Sequence, residues 1–441
     1  MVRRVGVLLL LVLLVGALPA LAGPEKSASA NHQLLKYVTT PDPAYGWVEG
    51  PTQTTAYGTI NYLILTTQQW RGITWRHLVR IYTPNTIVYP EWMTMLINGG
   101  SGQPNPGPRG DDALALTIAN TIGYRVAFLD TVPNQPLFDG LKEDQIISYT
   151  FQEFLKDGDW TWPLLFPMTK SAVRAMDALQ EYARQKWSQE ITSFTVTGAS
   201  KRGWTTWLTG AVDGGERVKA IAPMVIDTLN FRDQFPRELE LWGHYSEEIT
   251  DYTEKGLTEI FNLPLGRELW RAVDPYTYRM NLRMPKLLLL GTNDPYWPTD
   301  ALNLYWQGLQ GPKYVLYDPN SGHDLDDTAR ALAALTAFCR TVAAGHEMPG
   351  ISWQRQVEGD QLTLTITAPG ATAARLWSTT ADDLDFRPCP WSSQPITGSG
   401  GVFTIAVQRP ADKNMVAFGE VDLVSEGLPF TLSTQNTILA K

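Results

Sequence analysis

A serine, an aspartate and a histidine that could act as one catalytic unit each follow an apolar segment of the chain. Ser200 lies in SFTVTGASKRGWTTWLTGAV, Asp294 follows KLLLLGTN, and His323 follows KYVLYDPNSG. A serine hydroxyl attacks a carbonyl only when a histidine takes its proton, and an aspartate must orient and stabilise that histidine. These residue types therefore suit acyl transfer through a covalent acyl-enzyme.

The surroundings of Ser200 favour a nucleophile. A strand pattern at 194–197 leads into Gly198, and a helix pattern follows from Lys201. Small neighbours at such a turn let the serine adopt a strained backbone that raises its hydroxyl above the sheet edge. The second glycine is Gly203, one residue later than in G-x-S-x-G. The alternative is a serine that only caps a helix, which is a common role.

The order of the three residues selects the acid and the base. An α/β-hydrolase carries its nucleophile, acid and histidine in that chain order, on loops that follow successive strands. Asp294 and His323 fit these places, and Asp227, which ends the segment APMVID, is the rival acid. Two histidines precede the serine, one precedes the acid and one follows a long helix: His32, His77, His244 and His346. His323 is therefore the predicted base.

The tetrahedral intermediate requires donors for its oxyanion. The backbone N–H of Lys201 follows the nucleophile, and a second N–H is expected from the loop after an earlier strand. The segment MLINGGSG supplies that loop, with Gly99 and Gly100 directly after a buried strand pattern. The sequence therefore predicts an oxyanion hole made by Lys201, Gly99 and Gly100.

Composition and the chain start indicate an exported globular protein. The 441 residues are 44% hydrophobic and 18% charged, which favours more than one domain. Residues 1–22 combine two arginines, an apolar run and an A-x-A site, the pattern of a cleaved signal peptide. An uncleaved anchor is the alternative. Cleavage would change the formal net charge from -9 to -11, which argues against nucleic acid or an anionic membrane as partner.

Two regions differ in their hydrophobic pattern. Residues 23–347 alternate short, continuously apolar strand patterns with helix patterns, which is typical of an α/β fold with a largely parallel sheet. The predicted helices span 111–120, 169–187, 201–211 and 324–344. Residues 348–441 alternate polar and apolar side chains without helices, and this predicts an immunoglobulin-like β-sandwich.

Three further features carry weaker expectations. The aromatic-rich segments 131–167 and 228–275 are expected to roof the pocket over Ser200. Glu247 and Glu248 could hold a substrate amine, although an exposed acidic helix face explains them equally well. Cys339 and Cys389 could form a disulfide between the two regions or remain separate thiols.

The chain also resembles a known family, the PhoPQ-activated pathogenicity-related proteins, which are exported and α/β-hydrolase-like. The shared segments are KYVTTPDPAYGW, LINGGS, DTVPNQPLFDG, EDQIISYTFQEFL, WPLLFPMTKSAVRAMD, TGASKRGWTTWLTGAVD, GTNDPYW and DFRPCPW. The resemblance covers most of the chain after the signal peptide. It implies that the β-rich C-terminal region is a regular part of the architecture.

The predicted function is that of a secreted or periplasmic serine hydrolase that cleaves an ester or amide, including peptides. The alternative is a secreted interaction or signalling protein that keeps the fold with little or no catalysis. We expect no cofactor and no metal ion, because the sequence has no phosphate-binding loop, dinucleotide fingerprint or metal-ligand spacing. The expected partner is an ester or peptide substrate, without stable membrane insertion after signal cleavage.

Overall fold

The structure, a computed structural model, describes the backbone of residues 25–441 and the side chains of residues 32–441. The predicted signal peptide at residues 1–22 lies outside the described residues. Within the described residues, no helix has both the length and the apolarity that crossing a bilayer would require.

A nine-stranded mixed sheet forms the centre of the larger region. Its strands are β1 (Gly46–Thr55), β2 (Gly58–Trp70), β3 (Ile73–Pro84), β4 (Trp92–Ile97), β5 (Arg125–Leu129), β6 (Ser193–Ala199), β7 (Val218–Met224), β8 (Lys286–Gly291) and β9 (Lys313–Asp318). They lie in the order β1-β2-β3-β5-β4-β6-β7-β8-β9. The first three strands join the sheet antiparallel, and β5, β4 and β6 to β9 run parallel. This is the α/β-hydrolase fold that the sequence predicts.

Helices cover both faces of this sheet and form its cap. They are α1 (Glu25–Thr39), α2 (Asp112–Ile122), α3 (Asp144–Asp157), α4 (Leu165–Trp187), α5 (Lys201–Asp213), α6 (Phe231–Trp242), α7 (Thr250–Thr253), α8 (Pro264–Val273) and α9 (Thr328–Ala343). Short 3₁₀ helices span Glu247–Ile249, Leu257–Asn262, Pro275–Tyr278, Ala301–Leu304 and Trp306–Gly308. Because helices lie on both faces, the central strands are buried almost throughout, which explains their continuous apolar sequences.

The predicted helices are present, with shifted ends. Helix α4 begins at Leu165 rather than at residue 169, and Pro167 lies in its first turn, where a proline removes no intrahelical hydrogen bond. Helix α9 begins at Thr328 because the side chain of Asp327 accepts the backbone N–H of Arg330 at 3.1 Å. The apolar segment APMVID continues to Asp227, but strand β7 ends at Met224, since Val225 has a φ of 45°. Capping and local backbone geometry therefore set these ends.

The C-terminal region is a β-sandwich, as predicted. Its strands are β10 (Ser352–Glu358), β11 (Gln361–Thr367), β12 (Ala373–Ala381), β13 (Ser392–Pro395), β14 (Gly398–Ser399), β15 (Val402–Gln408), β16 (Asn414–Ser425), β17 (Leu428–Ser433) and β18 (Thr437–Leu439). One sheet has the order β10-β11-β15-β14, and the other has the order β13-β12-β16-β17, with β18 paired to β16. Neighbouring strands in both sheets are antiparallel.

The sandwich packs directly against the hydrolase region. Strand β17 contacts both α9 and β9. Ser433 on β17 accepts the backbone N–H of Tyr317 on β9 at 3.0 Å, and the ring of Tyr317 lies 5.2 Å from that of Phe418 on β16. These contacts place the sandwich beside the sheet edge that carries β8 and β9. The predicted boundary at 347–348 falls in the segment between α9 and β10.

The two cysteines are separate free thiols. Cys339 is buried in α9, where the hydroxyl of Thr94 lies 3.6 Å from its sulfur. Cys389 is half-buried in a sandwich loop, with its sulfur 4.0 Å from the carbonyl oxygen of Asp385. In this structure, noncovalent contacts and the chain itself hold the two regions together.

Candidate active site

Ser200 occupies a sharp turn between β6 and α5. Its φ and ψ are 58° and −127°, a combination that residues with a side chain rarely adopt. The backbone N–H of Ser200 donates to the carbonyl oxygen of Met224 on β7 at 2.9 Å, and its carbonyl accepts the N–H of Trp204 at 2.9 Å. These bonds hold the strained turn in place. The geometry is that of a nucleophile elbow rather than an ordinary helix cap, and the side chain of Ser200 makes no capping hydrogen bond.

Two glycines allow α5 to lie close to the sheet. A Cβ at Gly198 would approach the carbonyl oxygen of Arg202 to 2.8 Å, and one at Gly203 would approach that of Met224 to 2.8 Å. Real Cβ atoms do not reach such distances. Gly203, one position later than in G-x-S-x-G, therefore allows the close approach of α5 to β7. The usual position of the glycine, 202, holds an arginine with a different role.

Asp294 and His323 form a hydrogen-bonded pair. Nδ1 of His323 lies 2.8 Å from Oδ2 of Asp294, and Oδ1 of Asp294 accepts the backbone N–H of Tyr296 at 3.0 Å. The side chain of Asp294 is only 7% exposed. Nε2 of His323 is buried and makes no hydrogen bond to any described residue. The pair therefore leaves Nε2 open for a proton from a hydroxyl.

Tyr296 connects this pair to the serine. Its ring lies 4.3 Å from the ring of His323, and it lines the same pocket as Ser200. Ser200, Asp294 and His323 thus follow the carboxyl ends of β6, β8 and β9, and Tyr296 contacts His323 while lining the pocket of Ser200. Loops at such strand ends are where an α/β-hydrolase carries its catalytic groups.

The rival acid has a different partner. Asp227 is buried, and the hydroxyl of Tyr305 donates to its Oδ1 at 2.5 Å. Burial raises the pKa of Asp227 to about 7. A small cavity of about 10 Å³, room for about one water molecule, is lined by both Asp227 and Asp294. Asp227 therefore lies close to Asp294, but it is Asp294 that binds His323.

The predicted oxyanion donors differ in availability. The N–H of Lys201 is the first of α5 and has no intrahelical acceptor. The N–H of Gly99 donates to Oδ1 of Asn98 at 2.9 Å, whereas that of Gly100 makes no hydrogen bond within the described residues. Gly100 has a φ of 118°, which favours glycine. The geometry therefore favours Lys201 and Gly100 as the donor pair over Gly99.

The sequence analysis did not predict an ionic cluster next to Ser200. Oε2 of Glu143 lies 3.0 Å from Nζ of Lys201 and 2.7 Å from Nη1 of Arg202, and Nζ of Lys201 also lies 2.8 Å from Oδ2 of Asp144. Burial alone would raise the pKa of Glu143, but the hydrogen bond and charge of Arg202, with the charge of Lys201, lower it to about 2. The cluster joins α3 of the cap to the first turn of α5.

Arg202 also contacts the loop that contains Gly99 and the segment that contains Val132. Its Nε donates to the carbonyl oxygen of Val132 at 2.6 Å. Its guanidinium lies so close to Gly99 that a Cβ there would be 3.0 Å from Nη2. The basic pair after Ser200 and the acidic pair at 143–144 were visible in the sequence, but only the fold shows that they meet.

The pocket beside Ser200 is narrow and mainly aromatic. Its volume is about 30 Å³, room for about two water molecules. Its apolar walls are Trp204, Ile226, Phe231, Phe235, Ile249 and Trp270. Asp144 and Tyr252 also line it, so the segment 228–275 supplies most of the aromatic walls as expected, whereas the segment 131–167 supplies Asp144 but none of its aromatic rings. Glu247 and Glu248 are exposed and are not among its lining residues.

The C-terminal sandwich reaches the loops that carry the acid and the base. Nδ2 of Asn293 donates to the carbonyl oxygens of Arg387 and Cys389, both at 2.8 Å. Asn320, three residues before His323, accepts the N–H of Trp391 at 2.6 Å and donates to its carbonyl oxygen at 3.1 Å. The loop 385–391 therefore contacts both the loop of Asp294 and the loop of His323. This loop contains the segment DFRPCPW, whose role the sequence did not reveal.

Arg387 extends the same contact to the cap. Its guanidinium lies 3.7 Å from the ring centre of Trp242 and binds the carboxylate of Asp385. Its Nη1 also donates to the carbonyl oxygen of Pro295 at 3.2 Å and lies 3.4 Å from Glu247. One side chain thus joins the sandwich, the acid loop and the cap. Among the side chains of residues 32–441, no group of three His, Cys, Asp or Glu could hold a metal ion.

Comparisons with known proteins agree with this architecture. A family model described as PhoPQ-activated pathogenicity-related protein matches residues 34–387. Autocrine proliferation repressor protein A of Dictyostelium discoideum is 29% identical over 410 residues, which cover 85% of this chain and 82% of that protein.

Solved structures with the same fold include two acetyl xylan esterases. Acetyl xylan esterase 1 from Thermoanaerobacterium sp. JW/SL YS485 has a TM-score of 0.50 and 16% identity, covering 71% of this chain and 93% of its own. The enzyme from Paenibacillus sp. R4 has a TM-score of 0.51 and 14% identity, covering 73% and 96%. At these identities the likeness shows the fold.

Proposed function

Because the chain belongs to the PhoPQ-activated pathogenicity-related protein family and combines a hydrolase fold with the site described above, we propose that it is an exported serine hydrolase. It cleaves an ester, or a reactive amide, through an acyl-enzyme on Ser200. The observation that carries the proposal is the strained backbone of Ser200, together with a histidine that is held by Asp294 and has no hydrogen-bond partner at Nε2 among the described residues. A protein that only binds a partner has no physical need for this combination.

In each half of the proposed reaction, His323 acts first as a base and then as an acid. Nε2 of His323 takes the proton of Ser200 while Oγ attacks the substrate carbonyl carbon, and Asp294 stabilises the imidazolium. The N–H groups of Lys201 and Gly100 stabilise the oxyanion. His323 then gives its proton to the leaving oxygen or nitrogen, and the acyl group remains on Ser200. Water, deprotonated by His323, attacks the acyl carbonyl carbon; the bond between that carbon and Oγ then breaks, His323 returns the proton to Ser200, and the acid is released.

The pocket size indicates the acyl group. A narrow pocket of about 30 Å³ with aromatic walls favours a short acyl group over a long chain. The two fold neighbours described above are named acetyl xylan esterases, and this agrees with a small acyl group without identifying the alcohol. We therefore propose esters of short acyl chains as the substrate class.

Hydrolysis of 4-nitrophenyl acetate, butyrate and octanoate tests this proposal. We expect kcat/KM to fall steeply from acetate to octanoate, and Ser200→Ala to remove turnover of each ester. Phe235→Ala, which opens the pocket wall, should shift the preference toward butyrate. Equal rates for all three chains in the wild type would contradict a small acyl pocket. Turnover that persists in Ser200→Ala would contradict the nucleophile.

A second function is favoured by one comparison. The relative from Dictyostelium discoideum is named an autocrine proliferation repressor, so a secreted signalling role is the competing proposal for this chain. The Ser200→Ala protein separates the two when it is added to responsive cells. A repressor that acts by binding would keep its effect without the nucleophile, whereas a repressor that acts by hydrolysis would lose it.

Export is part of the proposal and rests on residues 1–22 alone. The charged start, apolar run and A-x-A site predict cleavage after Ala22. Amino-terminal sequencing of protein recovered from the medium or periplasm tests this directly. A sequence that begins at Gly23 supports export, whereas a chain that keeps Met1 in the cell contradicts it.

A further inference from the structure

Four arginines line one groove on the cap, separate from the catalytic pocket. The groove has a volume of about 610 Å³, and its arginines are Arg232, Arg267, Arg271 and Arg279. They come from the first turn of α6, from α8, and from the residue that follows the 3₁₀ helix Pro275–Tyr278. Phe261 and Tyr276 add aromatic surface. We refer to this feature as the arginine groove.

The positive charge of the groove is poorly compensated. Arg232 and Arg267 form no ion pair with any described residue, and Arg271 has only Glu268, with Nη1 and Oε1 3.4 Å apart. Arg279 donates to the carbonyl oxygen of Tyr276 at 3.0 Å and lies over that ring at 4.5 Å, without an acidic partner among the described residues. The guanidinium groups therefore have hydrogen-bond donors left for a ligand.

The carboxylate that lines the groove already has partners. Asp274 accepts backbone N–H groups from Asn230, Phe231 and Tyr276 at 3.1, 3.2 and 2.9 Å. It is buried and fixes the start of α6 and of the following 3₁₀ helix. Its oxygens are thus committed to the backbone rather than to the arginines.

The fold does not require this grouping of charge. Arg267 and Arg271 are four residues apart on α8, an arrangement in which like charges destabilise a helix. Arg232 lies in the first turn of α6, where a cation is unfavourable next to the positive helix end. The protein as a whole carries a formal charge of -9, so the groove is a local reversal of sign. A concave surface of one sign attracts and concentrates ligands of the opposite sign.

We infer that the arginine groove binds a small organic polyanion, a molecule that carries at least two carboxylate or phosphate groups on a carbon skeleton. Guanidinium groups bind such oxyanions through paired hydrogen bonds. A volume of about 610 Å³ is in the usual range of small-molecule sites and exceeds that of a single phosphate ion. The aromatic surface of Phe261 and Tyr276 favours a ligand with a carbon skeleton over an inorganic ion.

The groove and the catalytic pocket share one wall. Trp270 is buried and lines both, and its ring stacks on Phe261 at 5.6 Å with an angle of 14°. The two sites are therefore neighbours that share the side chain of Trp270. Ligand binding in the groove does not depend on the proposed hydrolase activity, and Ser200→Ala protein is suitable for measuring it.

Calorimetric titration of full-length Ser200→Ala protein with trigalacturonate, inositol hexakisphosphate and inorganic phosphate tests the inference. The first two probes separate carboxylate from phosphate recognition, and the third represents a bare anion. We expect one polyanion to bind with one-to-one stoichiometry and at least about tenfold more tightly than inorganic phosphate. Adding Arg267→Gln/Arg271→Gln should weaken that binding by at least about tenfold, since two guanidinium groups that can pair with an oxyanion are lost.

Arg76→Gln/Arg184→Gln is the matched control, because it removes the same charge from exposed positions outside the groove. We expect this control to bind the polyanion as the parent does. An equal loss of affinity in both double variants would show nonspecific attraction and overturn the inference. Failure of both polyanions to bind more tightly than inorganic phosphate would also overturn it.

Discussion

Asn293, the residue before Asp294, donates its side-chain amide to the carbonyl oxygen of Arg387 in the C-terminal sandwich at 2.8 Å. The same amide donates to the carbonyl oxygen of Cys389 at 2.8 Å, and Oδ1 of Asn293 accepts the hydroxyl of Thr292 at 2.7 Å. The loop that carries the acid is therefore held from outside the hydrolase region. This makes Asn293 a positioning residue and gives the sandwich a role in the proposed catalysis.

Asn293→Ala is expected to lower kcat by roughly 10- to 100-fold with little change in KM. The substitution leaves Asp294 in place but frees its loop, and a shift of about 1 Å in a catalytic group can cost about 100-fold in rate. Steady-state kinetics with 4-nitrophenyl acetate would measure the effect.

Asn303→Ala is the control for that variant. Asn303 makes the same kind of contact with the sandwich, donating to the carbonyl oxygen of Asn436 at 3.0 Å, but it belongs to a different segment from the acid loop. Both variants should lose similar stability, whereas only Asn293→Ala should lose activity. Equal losses of kcat would show that the sandwich contributes stability alone.

Gly203→Ala should destabilise the protein by about 1 to 3 kcal/mol, because the new methyl group would meet the carbonyl oxygen of Met224 at 2.8 Å. Urea unfolding measures this change. Gly46→Ala has no heavy atom within 4 Å of the added methyl group and is the matched control. If the two variants unfold at the same urea concentration, close packing of α5 against β7 is not the reason for glycine at 203.

Glu143→Gln is expected to reduce both stability and kcat, because it removes the shared acidic partner of Lys201 and Arg202. The pKa of Glu143 is lowered to about 2, below its unfolded value of about 4.3. The ionised carboxylate therefore stabilises the fold fully above about pH 5, and this contribution is lost as the pH falls through about 2. The free energy of unfolding of the wild type should exceed that of Glu143→Gln by less at about pH 3 than at about pH 7. An unchanged difference would contradict the ionic role.

Asp227→Asn should gain stability relative to the wild type as the pH rises. Burial raises the pKa of Asp227 to about 7, so the wild type is stabilised below its unfolded pKa of about 3.9 and loses this contribution as the pH rises through about 7. Asp294, Asp300 and Tyr305 are the groups around it. Asparagine has no charge to bury and still offers an oxygen to Tyr305. Between about pH 4.5 and about pH 7.5, the free energy of unfolding of Asp227→Asn relative to that of the wild type should rise by roughly 3 kcal/mol. Chemical denaturation at the two pH values measures this change. A constant difference would show that Asp227 is ionised throughout.

The sequence predicts most strands of the central sheet because their apolar character comes from burial on both faces. Strand β1 was not predicted, because its residues are exposed or half-buried and carry no apolar pattern. It is stabilised by antiparallel pairing with β2. The cap helix α3 was missed for a related reason: its segment was interpreted only as aromatic-rich. Buried strands carry a local signal, whereas edge strands and cap helices depend on their neighbours.

The order of Ser200, Asp294 and His323 along the chain was enough to nominate all three, because fold topology connects strand order to position. Contacts between distant segments were not visible in the same way. Glu143 meets Lys201 and Arg202 across 58 and 59 residues, and Asn293 meets Arg387 across 94. Hydrogen-bond partners at such separations have no spacing rule in sequence. The partner of Gly99 is local instead, since its N–H donates to the side chain of the preceding residue, Asn98, and that contact depends on the conformation of the loop.

The measurement that tests the central claim most directly is covalent labelling with a fluorophosphonate probe, followed by identification of the modified peptide. The account predicts stoichiometric phosphonylation of Ser200, which is lost in Ser200→Ala and strongly slowed in His323→Ala while both variants remain folded. Asp294→Asn should slow labelling and Asp227→Asn should leave it nearly unchanged, because Asp294 binds His323 whereas Asp227 binds Tyr305. Labelling of the Ser200→Ala protein at the wild-type rate, or an unlabelled Ser200 in folded wild type, would contradict the assignment.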